Sequence, residues 1–184
     1  IHVYHEHFVT KFIIENGEFR GVTAYDLKRG EFKFFYAKAG VIATGGAGRL
    51  YRFTTTAHST TGETLAYALS EGIAIKDMEF VQWHPTALVP RGILVSEAAR
   101  GEGGYLINKD GERFMKKYAP QKMELAPRDI VSRAILTECM EGRGFQHESG
   151  MCYVGLDLRH LGEEKINKRI PFIRELAHKY AGID

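Results

Sequence analysis

The chain has 184 residues, 44% hydrophobic and 26% charged, which is the range of soluble globular domains and excludes disordered and fibrous architectures. Its 25 Lys and Arg against 23 Asp and Glu leave a net charge of +2 scattered along the sequence, so it carries no electrostatic footprint for nucleic acid. No apolar run approaches the roughly 20 residues of a membrane helix and no basic-then-apolar leader precedes the first motif, so direct membrane insertion is not expected and any membrane contact falls to a partner.

The chain opens at Ile1 inside a β-rich run, and we read it as a segment of a longer polypeptide. His2, His5 and His7 lie in that run. With no carboxylate or cysteine at ligand spacing they are expected to be surface histidines of a strand, not a metal cluster. Three β-rich runs follow, Phe8 to Ile14, Phe19 to Leu27 and Phe32 to Tyr36, separated by Asn16-Gly17 and Arg29-Gly30. Asn-Gly between such runs is a strong hairpin signal, so they predict a three-stranded antiparallel meander. Ala39 to Ala43 is a short apolar run that stops at Thr44-Gly45-Gly46-Ala47-Gly48-Arg49, and it predicts a buried parallel strand ending in a glycine loop. Thr61 to Glu71 predicts a helix with Leu65, Ala66, Ala68 and Leu69 as its apolar stripe and Gly72 as its stop. Near residue 77 the pattern changes to short strands and loops broken by Pro85, Pro90 and Gly92, which marks a domain boundary between residues 1–77 and 78–184. Asn108-Lys109-Asp110-Gly111 predicts another hairpin turn. Pro127 followed by Ile130, Val131, Ala134, Ile135 and Cys139, and stopped by Gly142, predicts a helix. A strand over Tyr153 to Leu158 and a helix over Pro171 to Tyr180 complete the α+β pattern. Cys139 and Cys152 form no C-x-x-C pair and are expected to build neither a disulfide framework nor a zinc site, as suits a reducing compartment.

Four places could carry chemistry. The loop from Ala43 to Gly48 can bring backbone N–H groups against a dinucleotide, because glycine leaves no side chain in the way, or it can simply end a strand. His84 precedes Pro85, which forces extended backbone or a turn, where a histidine can point into a cleft. Ser96, Glu97, Arg100 and Glu102 place a hydroxyl, two carboxylates and a guanidinium close together before Gly103-Gly104. Arg128 sits at a helix start, where the macrodipole disfavours a cation, so it either pairs with a surface carboxylate or is there for function.

The strings V-I-A-T-G-G-A-G-R, M-E-F-V-Q-W-H-P-T, G-I-L-V-S-E-A-A-R-G-E-G-G and E-L-A-P-R-D, in this order and spacing, resemble the flavoprotein subunit of succinate dehydrogenases and fumarate reductases. L-aspartate oxidase is the close cousin. The resemblance covers practically the whole chain. It implies the end of the first segment of an FAD-binding, Rossmann-like α/β domain with an antiparallel meander, residues 1–77, followed by most of an α+β capping domain, residues 78–184. The family's G-x-G-x-x-G turn and its C-terminal substrate-binding histidine and arginine have no counterpart in this chain, which is therefore expected to be inactive alone.

By resemblance, Ala43, Thr44, Gly45 and Gly46 match the loop whose backbone lies against the adenine dinucleotide of FAD, and Val9 matches the strand that touches adenine. Glu63 stands where the family usually has a flavin-contacting aspartate. His84 matches the histidine that hydrogen-bonds a substrate carboxylate, and Ser96 takes the place of a threonine whose hydroxyl serves the same carboxylate. Arg128 matches the arginine that delivers or removes the proton, and Glu97 and Arg100 resemble the relay that joins it to solvent. An arginine, whose pKa exceeds about 12, can serve as acid only if it is reprotonated at once through such a relay. The implied function is interconversion of succinate and fumarate within electron transport and the tricarboxylic acid cycle. An iron–sulfur subunit and membrane-anchor subunits would be its partners, with the chain peripheral on the cytoplasmic side of the cell membrane. L-aspartate oxidase and a non-catalytic capping module are the alternatives.

Overall fold

Asn16 and Gly17 both adopt positive φ, 52° and 77°, in the computed structural model, which describes residues 1–183. Two consecutive residues of this kind make the tight turn whose twist matches a right-handed β-ribbon. They join β1 (His7–Glu15) to β2 (Glu18–Asp26), and a second turn at Gly30 leads to β3 (Glu31–Tyr36). All three pair antiparallel in the order β1-β2-β3, as the sequence predicts. Asp26 fixes the second turn. Its carboxylate accepts the Lys28 and Arg29 N–H groups at 3.1 Å each and the Lys33 ammonium at 2.7 Å. The Lys33 bond, above the opposing effect of burial, holds its pKa down at about 2.

The chain divides into two compact units, residues 1–52 with 56–80, and residues 53–55 with 81 onward. In the first, a 3-10 turn spans Gly48–Leu50, and α1 (Glu63–Ser70) packs on β1, with Lys11 and Glu71 paired at 3.3 Å. Gly72 takes φ +76° and ends the helix, as expected. Ala68 is the buried residue of the stripe, and Leu69 is exposed. Three further expectations for this unit need revision. Ala39 to Ala43 forms no strand, and Val41 is 94% exposed. A parallel strand exists only by hydrogen bonding to neighbours, and no described segment pairs with it. His5 lies in the turn before β1, not in a strand with His7. His7 is only part-exposed, its Nε2 3.6 Å from Asp26.

In the second unit, β4 (Ala87–Leu88) pairs with β5 (Ile93–Leu94). Then come α2 (Ala98–Gly101), β6 (Tyr105–Ile107) and α3 (Met115–Tyr118). A 3-10 turn at Met123–Leu125 leads into α4 (Arg128–Met140), and Pro127 immediately before the helix supplies the fixed φ that its start tolerates. β7 (Phe145–Gln146) pairs with β8 (Cys152–Tyr153), and β9 (Gly155–Asp157) pairs with β6. α5 (Glu163–Arg169), absent from the sequence reading, and α6 (Pro171–Ala181) follow. One core gathers Leu106, Phe114, Met115, Ala126, Val131 and Ala134, and the other gathers Val95, Ala99, Ile170 and Ile173.

The Asn108 to Gly111 turn forms but closes no hairpin, because β6 takes distant β9 as its partner. Asn108 is buried there. Its amide donates to Glu138 at 3.0 Å and to Glu112 at 3.2 Å, while its oxygen accepts the Asp110 and Glu112 N–H groups. The strand expected over Tyr153 to Leu158 is split at Val154 between β8 and β9. Cys139 and Cys152 are joined in a disulfide, contrary to the sequence reading. Spacing in the chain could not show this, because the β7–β8 hairpin folds back and leaves their Cα atoms 5.8 Å apart, within disulfide reach.

Candidate functional site

In the first unit the glycine loop turns back on the start of α1. A Cβ on Gly62 would meet that of Ala47 at 2.7 Å, and a Cβ on Gly48 would meet the Thr56 side chain at 2.5 Å, so both positions are closed to any larger residue. The Arg49 N–H donates to the Thr60 carbonyl at 3.0 Å and clasps the same fold. Gly45, with φ +76°, and Gly46 differ, since open space lies where their side chains would stand. Ala43, Thr44, Gly45 and Gly46 are all exposed, and the two glycines leave their backbone uncovered. Glu63, the first residue of α1, directly follows the Gly62 that packs on Ala47. Val9 lies half-buried in β1 opposite Ala24. An exposed loop with two open glycines, beside a helix start and a carboxylate, can bring backbone against a phosphate-bearing dinucleotide and accept from its hydroxyls.

In the second unit the polar groups converge on Glu97. Its Oε2 accepts Arg128 Nη2 at 3.1 Å and Nε at 3.3 Å, and Arg100 Nη2 stands 3.9 Å away. The Arg128 bonds lead the effects that hold the Glu97 carboxyl below its usual pKa, so it is ionised at neutral pH. Arg100 is 2% exposed. Its Nη1 donates to the Glu124 carbonyl at 2.6 Å, while Nε and Nη2 are buried without a hydrogen-bond partner. Burial leads the effects that lower its pKa, and the positive charge of Arg128 adds to it.

His84 is half-buried. Its Nδ1 lies 3.0 Å from the Thr86 carbonyl oxygen and 3.3 Å from the Thr86 N–H, which fixes the ring and leaves Nε2 as its outward atom. Desolvation pushes its pKa down, and the charges of Arg128 and Arg100 do the same against Glu97. Ser96 is exposed. Its hydroxyl accepts the Ala98 N–H at 3.1 Å at the start of α2 and keeps its own hydrogen for a ligand.

The structure thus brings Glu97, Arg100 and Arg128 together, places His84 within their field, and sets Ser96 next to Glu97 in the chain. Arg128 is not a stray cation at a helix start, because its guanidinium is bound to a carboxylate from another element. Sequence reasoning missed Gln82, whose Oε1 accepts Arg128 Nη1 at 3.0 Å, and Ser132, whose hydroxyl donates to the Trp83 carbonyl at 3.2 Å and ties the His84 segment to α4. It also missed Glu124. Neutral or isolated polar residues in irregular stretches carry no periodic signal. A dianion offered to His84, Ser96 and the Arg128 guanidinium would meet donors, with the buried Arg100 adding its positive charge from behind.

Comparison with known proteins gives the family. Residues 1–184 match the family described as FAD binding domain. The chain is 48% identical to the succinate dehydrogenase flavoprotein subunit of Rickettsia bellii over 97% of its length, and 45% identical to the fumarate reductase flavoprotein subunit of Escherichia coli, also over 97%. It spans only 30% and 31% of those two proteins. Among solved structures, a quinol fumarate reductase variant from E. coli superposes with a TM-score of 0.91 at 44% identity, covering 97% of this chain and 32% of that one.

Proposed function

Because this chain belongs to the FAD binding domain family, whose cofactor is FAD, we propose that it forms part of an FAD-dependent oxidoreductase interconverting succinate and fumarate. The single observation that carries this reading is the Arg128–Glu97–Arg100 chain with His84 beside it.

The residues present fit the cofactor. Gly45 and Gly46 leave backbone open for the dinucleotide, Glu63 offers an acceptor at the helix start, and Val9 offers an apolar edge to adenine. When bound, FAD supplies the two-electron chemistry. The chain's own residues supply the rest. His84 and Ser96 bind one carboxylate of the substrate and orient it, and the arginine charge favours the dianion. In fumarate reduction Arg128 gives a proton to one alkene carbon, and its positive charge stabilises the carbanion-like transition state. Glu97 returns a proton to Arg128 through the bonds at 3.1 and 3.3 Å. Arg100, which burial makes a better acid than an exposed arginine, resupplies Glu97 and is itself reprotonated from solvent through the exposed Glu97 carboxylate.

In this reading residues 1–77 belong to the FAD-binding domain and residues 78–184 to the capping domain. An iron–sulfur subunit takes up the electrons, and anchor subunits hold the assembly on the cytoplasmic side of a membrane. That relatives are named as flavoprotein subunits supports the presence of other subunits in the assembly.

The test is Arg128→Gln in a full-length flavoprotein carrying this chain. Dye-linked succinate oxidation should fall at least about 100-fold while flavin absorbance per protein is unchanged. Retention of most of the activity would remove Arg128 from proton transfer.

A further inference from the structure

Glu124 is 2% exposed, in the irregular stretch between α3 and α4, and the polar bonds behind the proton route converge on it. Its Oε1 accepts Arg113 Nε at 2.9 Å and the Leu106 N–H at 3.1 Å, and its Oε2 accepts Arg113 Nη2 at 2.6 Å. The fork of two parallel bonds gives the pair a fixed orientation as well as strength. Arg113 is itself held over the Tyr105 ring at 3.8 Å, and that ring stacks on His160 at 3.9 Å. Burial alone would raise the carboxyl's pKa, but the Arg113 and Leu106 bonds outweigh it and keep Glu124 ionised.

The backbone carbonyl of the same residue receives the one hydrogen bond that the Arg100 guanidinium makes among the described residues. That bond, with the 3.9 Å ion pair to Glu97, sets where the buried guanidinium stands. Met123, immediately before, has φ +50°, an uncommon backbone conformation for a side chain with a Cβ, which persists only when the surroundings determine it. Arg128 begins α4 four residues further on.

We propose that Glu124, clamped by Arg113, is the positioning residue of the proton route: it fixes the carbonyl that holds Arg100 3.9 Å from Glu97, and it fixes the turn from which Arg128 enters α4. This rests on the reading of Arg128, Glu97 and Arg100 given above. Glu124 touches none of the reacting atoms in that reading. It acts through Arg100, and its negative charge also favours the protonated form of that arginine.

The experiment compares Glu124→Gln, Glu124→Asp, Arg100→Gln and Arg128→Gln in the full-length flavoprotein, reading kcat and KM for fumarate reduction by a reduced dye, the pH profile of kcat, and flavin content. Glu124→Gln keeps an acceptor for Leu106 and loses the ion pair. It should lower kcat at least about tenfold with KM within about threefold, leave flavin content unchanged, and move the alkaline limb of the profile to lower pH. Glu124→Asp should restore part of kcat. Activity of Glu124→Gln within about twofold of the parent overturns the proposal. So does a fall in kcat matched by equal loss of flavin with an unmoved pH profile, since that is the signature of a merely structural residue. If Glu124→Gln does not fold, Arg113→Lys, which keeps the charge and breaks the fork, must show the same loss and the same displacement, and parental kinetics in it overturn the proposal. Inactive arginine variants beside an active Glu124→Gln sink this inference alone, whereas active arginine variants sink the functional reading.

Discussion

His84 shows how far a single side chain can be argued from its surroundings. Desolvation first, then Arg128 and Arg100, press its pKa below the usual 6.5, with the Thr86 carbonyl and Glu97 opposing. The free site therefore holds a neutral imidazole at pH 7. A dicarboxylate arriving at Nε2 favours the doubly protonated ring, so binding takes up a proton and strengthens as pH falls toward the histidine's own pKa. The predicted outcome is a KM for succinate in the full-length protein that drops between about pH 8 and pH 6, and a flatter dependence in His84→Gln. A dependence unaltered by the substitution would show that His84 does not meet the carboxylate. His84 and Arg128 were legible in the sequence because each breaks a local expectation, a histidine before proline and a cation at a helix start. Gln82 and Glu124 break none, and their roles are visible only once α4 and the turn before it bring distant segments together.

Among the elements, α4 joins the most distant parts of its unit. Arg128 opens it, and Glu138, 1% exposed, anchors its far end by accepting from Arg143 twice at 2.7 Å, from Asn108 at 3.0 Å and from Tyr118 at 2.7 Å. The Arg143 bonds lead the effects that hold its pKa at about 2 against an ordinary 4.5. A carboxyl depressed on folding contributes its stability above the unfolded pKa and loses it as pH falls through the folded value, so this contribution should fade from pH 4.5 down to about 2. In Glu138→Gln that acid slope should be shallower, and stability at pH 7 lower by about 3 kcal/mol, because Arg143 and Asn108 lose a buried charged partner. Urea unfolding of the purified chain across pH measures both, and an unchanged acid slope would contradict the assignment. The helix itself was readable from Pro127 to Gly142 because its period and stop signals are local. So was the meander, through Asn16-Gly17. The run from Ala39 to Ala43 was not, because a parallel strand is a property of its neighbours, and neither was the β6–β9 pairing, which joins segments far apart in the chain.

At the scale of the whole molecule, two units gather two different sets of groups. One presents bare glycine backbone beside a helix start, and the other gathers arginines and a histidine around one glutamate. The family assignment rests on the full chain, but the relatives are about three times as long, so catalysis is a property to be tested in a protein of their length. Cys139 and Cys152 show the same dependence on scale, since their disulfide follows from the hairpin geometry and not from any motif.

The most direct test of the account is to assay such a full-length flavoprotein for dye reduction with succinate beside hydrogen peroxide production with L-aspartate. The account predicts succinate-dependent dye reduction and no peroxide from aspartate. Peroxide from aspartate with no reaction of succinate would contradict it, leaving His84, Ser96 and Arg128 at work on an amino acid in place of a plain dicarboxylate.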